Sequence, residues 1–237
     1  MRALVLAIAV ALAAPAAAPA ATVTTMVVGK SSTLRDANPV RLVATRRVKV
    51  GSHRCTVAGA TPLAVLAGLR LTMGLRDYGS CGRRAADAAG LFVKRLGPDR
   101  NRGMDGWVYK VGRKVGSNGA ADVSGPFGTG RRLRNGDRLL WFYCHMQASG
   151  GCQRTLEAVP DRTSAAPGET VRVTVRGYDD EGRGIAVAGA TVRLGGASAQ
   201  TGADGVATLS VPAAGRLRLT AEKAGTVRAF PGEVRAG

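Results

Sequence analysis

Short segments of alternating apolar and polar residues, separated by glycine and proline turns, run through most of this sequence. The clearest covers residues 169–176, where Val171, Val173 and Val175 alternate with polar residues. Successive side chains of a β-strand point to opposite faces, so this spacing predicts a strand with one buried face. Repeated along a chain with 33 glycines in 237 residues, the pattern predicts a mainly β protein.

The N-terminus carries the one long apolar run of the chain. A basic start precedes an apolar segment at residues 3–14, and Ala18-Pro19-Ala20 then offers small residues for cleavage. This order is typical of a secretory signal peptide at residues 1–21, and it predicts a secreted, extracellular product without stable membrane insertion after cleavage. An uncleaved membrane anchor is the alternative, but the segment is short and two prolines interrupt it.

Four cysteines form an even set, which in an exported chain favours two disulfides. Cys144 and Cys152 lie close together in the sequence with a Gly-Gly turn between them, so we pair these two and pair Cys55 with Cys81. A metal site is the alternative, because each of the two histidines stands within two positions of a cysteine. Neither place has the Cys-x-x-Cys or His-x-x-x-His spacing of zinc sites, so no metal is assigned.

Positive charge is concentrated in the first part of the chain. The formal net charge is +18; residues 22–162 hold 24 Lys and Arg against 9 Asp and Glu, whereas residues 163–237 hold 9 against 7. The change coincides with a run rich in proline, serine and alanine. It predicts two domains, 22–160 and 169–237, joined by a linker at 161–168 that few contacts cross, so that the domains unfold independently.

The basic surplus is mostly arginine in short clusters, namely Arg46-Arg47, Arg83-Arg84 and Arg131-Arg132. A nucleic-acid-binding surface would interleave such residues with aromatic ones or belong to a known nucleic-acid-binding fold. Neither is seen, so nucleic acid is not an expected partner. Two interpretations stay open: a solvated basic face, and attraction to anionic polymers of the cell envelope.

Two aromatic segments are the most informative part of the first domain. Trp107 and Tyr109 share one face of a predicted strand, and an Asn-Gly-Asp turn leads into a second strand with Trp141 and Tyr143 on one face. The second strand, residues 139–143, is apolar on its other face too, which predicts a central or covered strand. The four aromatic side chains are either a ligand-binding platform or the core of an aromatic-poor domain.

Three motifs in a fixed order resemble the DUF4430 family of secreted bacterial domains, which is related to the C-terminal β-domain of transcobalamin. They are a cysteine before a Thr-Pro-Leu helix start, a Gly-Trp-x-Tyr strand, and the Asn-Gly-Asp turn into Leu-Leu-Trp-Phe-Tyr. The helix would begin with Thr61 as N-cap and Pro62 as its first residue. The resemblance covers about residues 22–158 and implies a small β-grasp-like α+β domain, with a corrinoid as ligand. The family often has Val-Asn-Gly after the aromatic strand, where this chain has Val111-Gly112-Arg113.

The second domain resembles bacterial Ig-like and carboxypeptidase-regulatory-like modules, through segments 189–192, 201–209 and 217–225. The resemblance implies an Ig-like or transthyretin-like β-sandwich that serves as a spacer or adhesion unit. Within it, Asp204-Gly205 is predicted to form a hairpin turn. The acidic run at residues 179–181 is a weak Ca²⁺ candidate, with a solvated turn as the alternative.

Catalytic motifs give little support for an enzyme. The sequence has no nucleophile elbow, phosphate-binding loop or His-Glu-x-x-His helix, so it assigns no catalytic residue and no cofactor. We therefore predict a secreted, non-catalytic protein that binds or supports the cell envelope, with anionic envelope polymers or a small molecule as partner. A cobalamin-like small-molecule carrier and an unrecognised secreted hydrolase are the alternatives.

The mature chain is expected to begin near Ala21 and to be recovered outside the cytoplasm, because the apolar segment is followed by small residues suited to cleavage. N-terminal sequencing of secreted material measures this directly. A product that retains Met1 and stays with the membrane would contradict it.

Overall fold

The computed structural model describes residues 20–237, so all but the last two residues of the predicted signal peptide, 1–21, lie outside the described part. Within residues 20–237 the protein is mainly β, as predicted, with one α-helix, α1 (Pro62–Gly68), and one short 3-10 helix at Ala85–Ala88. No helix in the described chain is both long enough and apolar enough to cross a membrane.

Ten strands of the described chain precede His145. They are β1 (Thr22–Val28), β2 (Thr33–Arg41), β3 (Thr45–Val50), β4 (His53–Ala58), β5 (Met73–Asp77), β6 (Leu91–Leu96), β7 (Asp99–Arg100), β8 (Gly106–Val111), β9 (Lys114–Val115) and β10 (Arg138–Cys144). The main sheet has the order β2-β1-β10-β8-β9, in which β1 and β10 are parallel and the other neighbours antiparallel. Helix α1 packs on this sheet with Leu63 and Leu66 in the core. A central parallel pair crossed by one helix is a β-grasp arrangement, which confirms the predicted fold class.

Local sequence signals determine the start of the helix, whereas one segment of turn-forming residues does not form a turn. The Ala64 N–H donates to Thr61 Oγ1 at 3.4 Å, and Pro62 is the first helical residue, as predicted. The segment Asp-Ala-Asn-Pro at residues 36–39 has the composition of a turn but lies inside strand β2. Strand β2 is at the edge of the sheet, where Pro39 can sit without a backbone N–H to donate.

Strand β10 is buried on both faces, which confirms the prediction of a central or covered strand. Leu139, Trp141 and Tyr143 belong to the core beneath the sheet. Leu140 and Phe142, on the opposite face, belong to a separate apolar cluster that we call the seam. The other buried residues of the seam are Met26, Val28, Cys144 and Val227.

The rest of the chain forms two facing sheets. Its strands are β11 (Thr155–Pro160), β12 (Ser164–Ala165), β13 (Thr170–Tyr178), β14 (Gly184–Ala186), β15 (Thr191–Leu194), β16 (Ala197–Gln200), β17 (Val206–Ser210), β18 (Gly215–Glu222) and β19 (Gly232–Ala236). One sheet joins β11, β13, β14 and β17, and the other has the order β12-β19-β18-β15-β16. Val171, Val173 and Val175 are fully buried between them, as predicted, with Val192 and Leu219 from the opposite sheet. The predicted β-sandwich is confirmed.

Two details of the sandwich differ from the sequence-based expectation. The Asp204-Gly205 turn forms, with Gly205 at φ +77°, but it does not close a hairpin. It leads from β16, which pairs with β15, to β17, which pairs with β13 in the other sheet. The turn therefore carries the chain across the sandwich, because Ala207 and Leu209 of β17 face the core from the opposite side.

The strands of the sandwich also begin earlier in the chain than the predicted boundary between the two domains. Residues 155–160, which we placed in the first domain, form β11 and pair with β13 of the sandwich, and Leu156 is in its core. In the expected linker, Ser164 and Ala165 form β12 and pair with β19. This pairing is not evident from the sequence, because the segments contain proline and charged residues. Strands β11 and β12 lie at sheet edges, where such residues are tolerated.

Many contacts join the two halves, so the expectation that few contacts cross between them is wrong. Lys110 of β8 is fully buried, and its Nζ donates to Thr155 Oγ1 at 3.1 Å, Tyr178 O at 3.0 Å and Asp179 O at 2.7 Å. The physical reason is the second apolar face of β10, which would meet water if the sandwich did not cover it. An ion pair from Arg113 to Glu157 adds to this contact.

Candidate functional site

The four aromatic residues proposed as a ligand platform lie in the core. Trp107, Tyr109, Trp141 and Tyr143 are each at most 6% exposed. They pack in two pairs across β8 and β10, Trp107 on Tyr143 with ring centroids 5.7 Å apart and Tyr109 on Trp141 at 5.3 Å. The core interpretation therefore holds and the platform interpretation does not, because a platform must present ring faces to its ligand.

The polar atoms of these rings hold loops in place. The Tyr109 hydroxyl donates to Asn118 O at 2.7 Å, and burial raises its pKa. Trp107 Nε1 donates to Asp99 O at 3.0 Å, and the Tyr143 hydroxyl donates to Arg100 O at 3.0 Å. Three of the four polar groups of these side chains are thus hydrogen-bonded within the protein and do not offer hydrogen bonds to a ligand.

The predicted disulfides are confirmed. Cys55 bonds to Cys81 with Cα atoms 5.4 Å apart, and Cys144 bonds to Cys152 with Cα atoms 5.2 Å apart. His53 Nε2 lies 3.8 Å from Cys81 Sγ, the place where the metal alternative was considered. A zinc site would need cysteine thiolates as ligands, and both sulfurs here are used in the disulfide.

The acidic loop at residues 179–181 faces basic side chains of the protein. Asp179 accepts hydrogen bonds from the backbone N–H of Arg183 at 2.8 Å and from its Nε at 3.0 Å. Asp180 accepts from the Cys152 N–H at 2.8 Å, and its other oxygen lies 3.9 Å from Lys110 Nζ. The two aspartates of the loop therefore bind groups of this chain, which favours a structural turn over a Ca²⁺ site.

One pair of chemistry-bearing residues was not found from the sequence. His145 Nδ1 lies 3.1 Å from Asp105 Oδ2, and the Met146 N–H donates to Asp105 Oδ1 at 2.9 Å. These contacts lower the pKa of Asp105, the Met146 bond first and the His145 bond second. In the described chain, the His145 ring hydrogen-bonds to Asp105, and no serine or cysteine hydrogen-bonds to it.

The strongest candidate for a binding surface is the hairpin of β3 and β4. Val48 of β3 and Val57 of β4 are buried in the core, so the other face of this two-stranded sheet meets water. That face carries Arg47, Lys49 and Arg54, all exposed, and the register places Lys49 directly opposite Arg54. We call these three residues the basic hairpin face.

A fourth cation belongs to the same region. The Thr56 N–H of β4 donates to Gly82 O at 2.8 Å, which brings the following exposed Arg83 to the edge of the hairpin. The Cys55–Cys81 disulfide fixes this loop to β4. Within residues 20–237, no carboxylate lies within 4.0 Å of the charged groups of these four residues. The face is therefore positive without internal compensation.

Comparison with known proteins does not identify a family for this chain. No protein-family model and no curated protein matches the chain. Among solved structures, the D00-D0 domain of intimin is similar at 15% sequence identity and a TM-score of 0.27, over 80% of this chain and 91% of that one. This likeness carries no argument about function.

Burial lowers the pKa of Lys110 to about 8 from 10.5, with Asp180 opposing the shift. From pH 8 to pH 10.5 the folded chain has released this proton while the unfolded chain keeps it, so the free energy of unfolding rises with pH in this window. Relative to Lys110→Met, the wild-type protein should gain up to about 3 kcal/mol across it. Urea unfolding of both proteins at several pH values measures the difference, and a difference that is flat or falls with pH would contradict the assignment.

Proposed function

We propose that this protein is an exported, non-catalytic component of the cell envelope that binds anionic polymers through the basic hairpin face. The observation that carries the proposal is the direct opposition of Lys49 and Arg54 on an exposed face that holds no carboxylate partner in the described chain. Like charges directly opposite each other destabilise a sheet. A polyanion lying across the hairpin would relieve that repulsion and stabilise the folded protein by binding it.

The spacing of the charges suits a polymer better than a single small anion. Side chains two positions apart on a strand, such as Arg47 and Lys49, are about 7 Å apart, and directly opposed residues such as Lys49 and Arg54 are about 5 Å apart at Cβ. Cations repeated at this interval along a flat hairpin can each meet one of a series of anionic groups. Arg83, at the hairpin edge, extends the series.

The hairpin is rigid enough to present these charges together. Its inner face is packed into the core through Val48, Val50 and Val57, and the Cys55–Cys81 disulfide ties β4 to the neighbouring loop. Its two-residue turn begins with Gly51 at φ +57°, a conformation that glycine adopts without strain. Binding therefore needs little ordering of the backbone, which reduces its entropic cost.

We also propose that the part of residues 22–158 that precedes β11 is related to the DUF4430 domains, a relationship that the β2-β1-β10-β8-β9 sheet with one crossing helix supports. The corrinoid ligand that this resemblance implies is not part of the proposal, because Trp107, Tyr109, Trp141 and Tyr143 are core residues.

Replacing Arg47, Lys49 and Arg54 together by glutamine should lower the affinity for poly(glycerol phosphate) by about tenfold, since exposed ion pairs contribute roughly 0.2–1 kcal/mol each. Wild-type binding should weaken steadily as salt rises, because exposed charges are screened over about 8 Å at physiological ionic strength. Affinity is measured by titration of the immobilised full-length mature protein at several salt concentrations.

A matched variant separates this face from the overall charge of the chain. Lys114, Arg134 and Arg172 are exposed basic residues outside the hairpin, and their replacement by glutamine removes the same charge. This variant should bind the polymer within about twofold of wild type, since nearby charges dominate under screening. Equal losses in the two triple variants would show that the net charge of +18, rather than the hairpin, attracts the polymer.

A further inference from the structure

Four large apolar side chains are exposed together on one side of the first half of the chain. Tyr78 is 67% exposed, Phe92 43%, Met104 78% and Met146 37%. They line a single concavity of 460 Å³ together with other residues of β5, β6 and β8. Ligand clefts have volumes of roughly 300–1,000 Å³. We call these four residues the aromatic–methionine patch. Single exposed apolar residues are ordinary, but a contiguous group of this kind marks an interaction site.

The pleat of strand β6 determines that Phe92 is displayed. Leu91 and Val93, on either side of Phe92, are buried in the core, so Phe92 must point to the opposite, outer face. Tyr78 follows β5 and packs edge-on against Phe92 with ring centroids 6.0 Å apart. The Phe92 ring cannot reach the core without a shift of register, which would expose Leu91 and Val93 instead.

Hydrogen bonds hold the two methionines beside the rings. Met104 is at the tip of a turn whose ends, Arg102 and Asp105, exchange backbone hydrogen bonds of 2.9 and 3.0 Å. The Asp105 carboxylate then accepts the Met146 N–H at 2.9 Å. One aspartate thus fixes the backbone of both methionine-bearing segments, while the thioether side chains stay free to adapt to a partner.

The rim of the patch is basic. Arg76 lies directly opposite Phe92 in the sheet and stacks over Tyr78, with its guanidinium carbon 4.7 Å from the ring centroid. Lys94 is exposed on the same face of β6. In the described chain neither cation has a carboxylate within 4.0 Å, and the one carboxylate lining the concavity, Asp105, is bonded to Met146 and His145.

We propose that the aromatic–methionine patch is a docking surface for an acidic, apolar peptide segment of a protein partner. Its apolar side chains would fill the concavity, and its carboxylates would pair with Arg76 and Lys94. A glycan fits less well, because Tyr78 and Phe92 are inclined at 67° and offer no flat stacking surface. Flexible thioethers accommodate varied side chains, as at surfaces that bind many peptides. This surface is separate from the basic hairpin face and does not depend on it.

The test uses three fluorescein-labelled peptides of equal length and the full-length mature protein. The first combines glutamate with leucine and phenylalanine, the second replaces glutamate by lysine, and the third replaces leucine and phenylalanine by serine. By fluorescence anisotropy, the first should bind at least about tenfold more tightly than either of the others. Equal binding of the first and third would overturn the proposal, because it would reveal general attraction of acidic peptides.

Variants locate the site. Phe92→Ser and Met104→Ser, at exposed positions, should each weaken binding of the first peptide by about tenfold. Ile185→Ser is the matched control, since Ile185 is a 52% exposed apolar residue of the sandwich, and it should leave binding unchanged. Circular dichroism verifies that all three fold. Equal affinity in the patch variants and wild type, or binding of a neutral oligosaccharide that Phe92→Ser abolishes while no peptide binds, would contradict a peptide-docking role.

Discussion

The burial of both faces of strand β10 is the constraint on which the rest of this structure depends. One face contributes Trp141 and Tyr143 to the core under helix α1, and the other contributes Leu140 and Phe142 to the seam. A β-grasp sheet with a single helix covers only one of its faces, so the second face must find cover elsewhere. The sandwich supplies it, and the neighbouring Lys110 is held there by carbonyl and hydroxyl oxygens of the sandwich.

Because of this packing, the second half of the chain covers the main sheet and is not a separate domain. With its outer face covered, the main sheet has no exposed aromatic surface, and the surfaces left for partners lie at the periphery, on the β3–β4 hairpin and around Tyr78 and Phe92. The hairpin presents charge without compensation, whereas the aromatic–methionine patch presents apolar area with a basic rim. Each is stabilised by core packing on its inner face, through Val48 in one case and Val93 in the other.

Features that depend on neighbouring residues could be predicted from the sequence. The Thr61 cap, the alternation at Val171 to Val175 and the Cys144–Cys152 pairing each need only a short stretch of chain. Features that depend on distant residues could not. Lys110 is buried by the Asp179 carbonyl, 69 positions away, and Asp105 meets His145 across 40 positions. The patch was missed for a different reason, because alternation shows that Phe92 and Leu91 lie on opposite faces but not which face is covered.

The central claim is that the seam makes the two halves one cooperative unit, and a core substitution in the sandwich tests it. Both tryptophans lie in the first half, so their fluorescence reports on that half alone, while far-UV circular dichroism reports on the whole chain. Leu219→Ala, at a fully buried position of the sandwich core, should lower the free energy of unfolding by about 2–5 kcal/mol. If the seam couples the halves, the urea transitions seen by the two methods shift together and stay coincident. A tryptophan transition that stays at its wild-type urea concentration, while circular dichroism shows an earlier separate step, would contradict the account.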